Sequence, residues 1–281
     1  PGLEERYEDH LRGSPGKRVY EINARGTLVQ SLSFIEPSQG ADLYTNLDIE
    51  AQKSAAKFLG NRRGAVVAID LDSGGINVLY SSPTYSINQL SNGMNEDDFQ
   101  TLINDSDKPF FNRALQGRYP PASTIKPAIG MYGILNNIVN WDFEMKDPGF
   151  FELPETGRVF RGWRKGGHGK VNMHKAFLVS SNTYFFSLAY QADIEELSNH
   201  LFSLGFGQKV CKDCYDEDQA LVPTPEWKYS VMNAGWVKGD TVNLGIGQGY
   251  LLATPMQLAN YASLLAKKGI SSEPSIVTFE N

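Results

Sequence analysis

The chain has 281 residues, 41% of them apolar and 11% aromatic, which is ample for a packed core and excludes a disordered protein. Twenty-six basic against 32 acidic residues leave a net charge of −6, which argues against nucleic-acid binding driven by phosphate contacts. No 18 consecutive residues are apolar, and Pro1-Gly2-Leu3-Glu4-Glu5-Arg6 lacks the basic-then-apolar order of an export signal, so the residues read as a soluble piece whose anchor would lie upstream.

In chain order, residues 1–47 read as a linker or pedestal of short extended pieces, 18–23, 27–35 and 41–46, separated by Gly-rich turns. Asp48 then caps a helix carrying Ile49, Gln52, Ala55, Ala56 and Leu59, with Gly60 as its stop. The apolar runs 64–71 and 77–80, joined by Asp72-Ser73-Gly74-Gly75, predict a buried β-hairpin. Residues 86–112 are polar and loop-like, with a short helix around 97–103.

Two prolines precede Ala122-Ser123-Thr124-Ile125-Lys126-Pro127, and Pro127 is tolerated only in a first helical turn, so Ser123 belongs at a helix N-terminus. Residues three apart share a helical face, which sets the Ser123 hydroxyl beside the Lys126 amine. An amine kept neutral by burial can take the proton of an otherwise weak alcohol nucleophile, and the unpaired N–H groups of the helix end favour a developing oxyanion.

Residues 140–169 predict a long loop or irregular β region. Asn172 can cap a helix through Val179, Ser180-Ser181-Asn182 forms a turn, and 183–191 is a helix with Tyr184, Phe185, Leu188 and Ala189 inward. Asp193-Ile194-Glu195-Glu196 and Thr254-Pro255-Met256-Gln257 read as capping boxes of two further helices, the second stopped by Gly269. Gly245-Ile246-Gly247-Gln248-Gly249-Tyr250 reads as a structural turn, because no phosphate-loop pattern fits it. Cys211 and Cys214, among Lys209, Lys212, Asp213, Asp216, Glu217 and Asp218, suggest a polar surface loop with free thiols or a small disulfide, ahead of a metal.

Ser-x-x-Lys at 123–126 and Ser-x-Asn at 180–182 are two of the three elements shared by penicillin-binding proteins and serine β-lactamases. With the stretches 7–13, 42–48, 112–127, 167–170, 180–184, 225–228 and 239–259, the chain resembles the class B penicillin-binding proteins, and among them the penicillin-binding protein 2 group. The resemblance implies an α/β (α+β type) fold, with 48–281 a partial transpeptidase domain whose sheet is incomplete. It also implies a peptidoglycan D,D-transpeptidase acylated by β-lactams, with no cofactor. Ser123 would be the nucleophile, Lys126 its base, Ser180 a proton relay to the leaving amine, and Asn182 a hydrogen-bonding partner of Lys126 or substrate. Implied partners are peptidoglycan stem peptides or their lipid-linked precursor, β-lactams and membrane proteins of the elongation complex. The implied location is the periplasmic side of the inner membrane.

No Lys-Thr/Ser-Gly occurs in the 158 residues after Ser123, and Lys267-Lys268-Gly269 is a helix end. A fragment that acylates poorly by itself is therefore expected. Some members of the group hold a metal near the Ser-x-Asn turn. Asp147 and His168 match two of those positions, but Gly162 and Ser181 replace the other ligands, so no metal is expected. Between Thr156 and Ala192 there is no acidic residue, whereas Arg158, Arg161, Arg164, Lys165, Lys170 and Lys175 are present. That positive field suits anionic substrates, with Arg161, Trp163 and Arg164 as candidate substrate contacts. The alternatives to a transpeptidase are a serine β-lactamase and a non-catalytic scaffold.

Overall fold

The computed structural model describes residues 2–278. Pro1 and residues 279–281, the last three of which the predicted transpeptidase segment includes, lie outside them. The sequence predicts no helix before Asp48, yet two single-turn helices, α1 (Leu3–Arg6) and α2 (Glu8–Leu11), come first. Strands β1 (Lys17–Ile22) and β2 (Leu28–Ile35) then form an antiparallel hairpin whose base is closed by the Ser14–Ser38 bridge. Its side chains, among them Tyr20, Ile22, Leu28, Leu32 and Phe34, are exposed, so this hairpin shares no core with the rest.

Helix α3 (Ile49–Leu59) begins as predicted, the Asp48 carboxylate accepting the N–H groups of Glu50 and Ala51, and it ends at Gly60 with φ 54°. It packs on the hairpin of β3 (Gly64–Ile69) and β4 (Ile76–Ser82), where Val66 faces Tyr80 and Val67 faces Leu79. Asp70 sets the reversal by accepting the N–H groups of Asp72 and Ser73. Among the described residues β3 is paired on one side only, to β4.

Three short helices follow: α4 (Ile87–Ser91), α5 (Glu96–Asn104) and α6 (Arg113–Gln116). A 3-10 turn, Ala122–Ile125, then runs straight into α7 (Lys126–Leu135). The predicted irregular β region is two small antiparallel pairs, β5 (Met145–Asp147) with β8 (Gly169–Val171) and β6 (Phe150–Glu152) with β7 (Val159–Arg161). Next come α8 (Met173–Leu178), α9 (Asn182–Gln191) and α10 (Ile194–Ser203). The last helices are α11 (Pro225–Met232), α12 (Lys238–Leu244) and α13 (Pro255–Ala266).

Helices α7 and α9 are the centre of the main core, which holds Ile125, Ile129, Tyr132, Tyr184, Phe185 and Leu188. Each such side chain contributes roughly 1.5–3 kcal/mol by leaving water. Gly133 permits the close approach: a Cβ there would lie 2.7 Å from the Leu188 side chain. The Thr254 capping box forms as predicted, Thr254 and Gln257 exchanging side-chain and backbone bonds. At Asp193 only half of the predicted box forms, because Glu196 accepts from the Tyr132 hydroxyl instead.

The Cys loop forms the small disulfide that was one of the two expected alternatives but departs from expectation in its burial. Cys211 and Cys214 are bonded to each other and buried in a second cluster with Ile76, Leu115, Met256 and Ile276. Two of the charged residues that made this segment look like surface, Asp213 and Glu217, are turned inward as acceptors, while Lys209, Lys212 and Asp216 stay exposed. Asp213 takes the N–H groups of Ile276 and Val277 at 2.8 and 2.7 Å, and Glu217 takes those of Val210 and Cys211.

Candidate active site

Two segments meet at the N-terminal end of α7. The first is held from behind by the Gly245–Tyr250 turn and the residues after it: Tyr119 and Ala253 exchange backbone hydrogen bonds at 2.9 and 2.8 Å, and Ala122 N–H donates to Gly247 O at 2.9 Å. Ala122 has φ 50°, an uncommon backbone for a residue with a Cβ. Gly247 packs so closely that a Cβ there would sit 2.3 Å from the Ala122 carbonyl oxygen. The turn that reads as merely structural in the sequence is thus the backing of Ser123.

The second segment is the turn between α8 and α9. Ser181 caps α9 by accepting the Tyr184 N–H, and its own N–H donates to Ala176 O at 2.9 Å. Ser180, at φ 50°, and Asn182 flank it and project forward. Lys126 Nζ donates to Ser180 Oγ at 2.9 Å, to Ser180 O at 2.9 Å and to Asn182 Oδ1 at 2.7 Å. Ser180 Oγ lies 3.1 Å from Ser123 Oγ and donates to it. All four predicted residues therefore come together. The hydroxyl of Ser180 bridges the other two, whereas the sequence places Ser123 and Lys126 in direct partnership.

Lys126 is 2% exposed and, among the described residues, meets only neutral oxygens and the Phe185 ring, 5.4 Å from its ammonium. Burial without a facing carboxylate lowers its pKa from 10.5 to about 8. A lysine in this state offers a useful fraction of free amine near neutral pH.

Behind the turn lies a second polar cluster. Asp147 Oδ2 accepts from the Ser181 hydroxyl at 2.7 Å and pairs with His168 Nδ1 at 2.8 Å, and Oδ1 accepts the Gly149 N–H at 2.7 Å. Burial works to raise the Asp147 pKa, but these hydrogen bonds outweigh it and hold the carboxyl below its ordinary value. Asp147, read from sequence as a turn residue, is the last residue of β5, and its carboxylate accepts the Gly149 N–H as the chain turns. His168, read from sequence as a loop histidine, is buried against it.

A zinc ion does not suit this donor set. Asp147 is already engaged by Ser181 and His168, and Ser181 offers a hydroxyl. The fourth position, Gly162, carries no side chain to ligate, and a Cβ there would lie 3.2 Å from Gly149 O, a tight approach.

Trp163 donates its indole N–H to Val179 O and Ser180 O at 3.1 and 3.2 Å, while the side chain stays 64% exposed. Trp163 and Arg161 line a cavity that also includes Asn182. Arg164 is exposed and does not line it. Arg158, one of the residues of the predicted positive field, shares the cavity wall with Asn243 and Gln248, which no sequence signal marked.

Comparison with known proteins adds a second kind of observation. The family model "Penicillin binding protein transpeptidase domain" matches residues 64–280, and "Penicillin-binding Protein dimerisation domain" matches residues 1–45. The chain is 43% identical over 276 residues to the peptidoglycan D,D-transpeptidase MrdA of Acinetobacter baumannii, covering 98% of this chain and 41% of that protein. It thus spans less than half the length of that relative. Among solved structures, Pseudomonas aeruginosa PBP2 in complex with WCK 5153 aligns with TM-score 0.82 and 37% identity, over 86% of this chain and 55% of that one. The complex of PBP2 and MreC from Helicobacter pylori aligns with TM-score 0.90 and 34% identity, over 98% of this chain and 51% of that one.

Proposed function

The chain belongs to the penicillin-binding protein transpeptidase family, and from that premise we propose that it carries the acyl-transfer centre of a peptidoglycan D,D-transpeptidase. Ser123 is the nucleophile, Lys126 the base, Ser180 the relay and Asn182 the group that orients the amine. The observation that carries this reading is the unbroken hydrogen-bond chain from Ser123 Oγ through Ser180 Oγ to Lys126 Nζ.

In its neutral form the amine keeps two donated bonds, to Ser180 O and Asn182 Oδ1, and turns its lone pair to the Ser180 hydroxyl. Ser123 passes its proton to Ser180, and Ser180 passes its own to Lys126. Ser123 Oγ then bonds to the penultimate D-Ala carbonyl carbon of a stem peptide, with the developing oxyanion near the N-terminal end of α7. Collapse breaks the carbon–nitrogen bond, and the proton held on Lys126 returns through Ser180 to the departing D-Ala amine. The amine of a neighbouring stem peptide next attacks the ester and restores Ser123. β-Lactams acylate the same hydroxyl.

Residues 48–281 form the transpeptidase part and residues 1–47 the pedestal. The protein works on the periplasmic side of the inner membrane, with membrane proteins of the elongation complex as partners. The Helicobacter pylori relative solved together with MreC supports that last assignment. Among the described residues no helix is long and apolar enough to cross a membrane. Arg161 and Trp163 contact the anionic substrate, and Arg164, outside the cavity, adds only to the field that attracts it.

The test is labelling of the full-length protein with a fluorescent penicillin, followed by mass mapping of the adduct. Ester formation on Ser123, lost in Ser123→Ala, is the expected result. An adduct on another residue, or equal labelling of the variant, would refute the assignment.

A further inference from the structure

A cavity of 370 Å³ opens beside Asn182, its polar wall formed by Arg158, Arg161, Asn243 and Gln248. Its size is at the lower end of small-ligand sites, enough for a short peptide segment. No carboxylate lines it, and the sequence has no acidic residue between Thr156 and Ala192. Elsewhere in this acidic chain several exposed arginines find carboxylates: Arg118 pairs with Asp218, Arg63 with Asp107 and Arg12 with Glu8. Among the described residues neither Arg158 nor Arg161 forms an ion pair; Arg158 instead lies over the Phe160 ring at 5.0 Å. Asn182 gives its side-chain oxygen to Lys126, so the amide N–H2 is the half left for a ligand. Two guanidinium groups and three amides converge here with no internal anion to satisfy them.

We propose that this cavity is a carboxylate-binding subsite for the peptide substrate, recognising a carboxylate outside the bond being broken. The proposal rests on the acyl-transfer reading of Ser123, because Asn182 belongs to both the cavity and the cluster around Lys126. A guanidinium recognises a carboxylate through paired, charge-assisted hydrogen bonds, which an amide in the same place cannot reproduce. The carboxylate can belong to the peptide that acylates Ser123 or to the peptide whose amine accepts the acyl group. The chemistry of recognition is the same for both.

The experiment compares two peptide thioesters that differ only in bearing a side-chain carboxylate or carboxamide, and two acceptor amines differing in the same way. The full-length protein is set beside the Arg158→Gln/Arg161→Gln and Arg158→Lys/Arg161→Lys variants. The carboxylate-to-carboxamide ratio of rates should fall on the order of tenfold in the Gln pair and less in the Lys pair, which keeps the charge. A fall in acylation assigns the subsite to the donor, and a fall confined to the transfer step assigns it to the acceptor. Equal rates for carboxylate and carboxamide in the unaltered protein, in both steps, overturn the proposal.

Equilibrium binding of the same four ligands to a Ser123→Ala protein separates this outcome from failure of the acyl-transfer reading. Preference for the carboxylate without acylation would sink the chemistry and keep the subsite. Acylation without the preference would do the reverse.

Discussion

Lys126 and Asp147 are two ionisable side chains almost wholly removed from water, on opposite sides of the Ser180–Asn182 turn, and they are treated in opposite ways. Asp147 is surrounded by donors, from Ser181, His168 and Gly149, and its charge is held below the usual carboxylate range even though burial opposes this. Lys126 meets oxygens that carry no net charge, and burial pulls it to about 8. One charge is stabilised until it is chemically inert, and the other is left uncompensated until it can give up its proton. An ion pair at Lys126 would tighten the fold and silence the base of the proposed mechanism.

The sharpest way to break that contrast is Lys126→Arg. Guanidinium stays protonated, so acylation of Ser123 should fall about 10³-fold, measured by stopped-flow labelling with a fluorescent penicillin; a variant within tenfold of the parent would show that Lys126 is not the base. In the parent the rate should climb through a midpoint near pH 8 and level off above it, because the neutral amine is the active form. Stability follows the same group. Its folded pKa of about 8 lies below the ordinary 10.5, so between those values the unfolded chain holds more protons. The stability contributed by this site should therefore rise with pH across that window, as a rising urea midpoint that Lys126→Met loses.

Asn182→Asp sharpens the comparison by giving Lys126 the kind of neighbour it lacks. The facing carboxylate should move the acylation midpoint upward by about one pH unit or more and slow the reaction at pH 7. An unmoved midpoint would detach the rate from Lys126. Asp147→Asn acts on the other side, leaving one side-chain oxygen where two now serve Ser181, His168 and Gly149. Calorimetry should show a loss of about 2–4 kcal/mol, with a smaller effect on acylation than either change at the base. The mildest change is reduction of Cys211–Cys214. So short a loop adds about 2 kcal/mol or less by the loop-closure relation, so a small fall in melting temperature with labelling preserved is the outcome to look for.

Local chemistry made much of this molecule readable in advance. Asp48 and Thr254 cap because their side chains reach N–H groups two or three residues on, and Tyr184, Phe185 and Leu188 face inward because helical period fixes their side. The Ser123–Lys126 spacing required only one turn of helix, and a 3-10 turn running into α7 supplies it. Contacts between distant segments were not legible. Asp147 and Ser181 are 34 residues apart, and neither residue type signals a buried hydrogen bond. Asp213 shows why polarity alone misleads: its charge made the Cys loop look solvated, whereas the carboxylate serves two backbone N–H groups more than sixty residues away. The role of Gly247 was hidden for a related reason, since its lack of a side chain matters only where Ala122 arrives from another part of the chain.

Ala122 and Ser180 both hold left-handed backbone without being glycine, and they lie on the two facing walls of the cleft. Such conformations cost of order 1 kcal/mol or more each, and here the folded scaffold bears that burden before any ligand arrives. An incoming peptide meets walls already set, with little ordering left for it to do. Ala122→Gly would ease the tension in the resting protein, and would also return to the segment of the proposed nucleophile the freedom that the present arrangement removes.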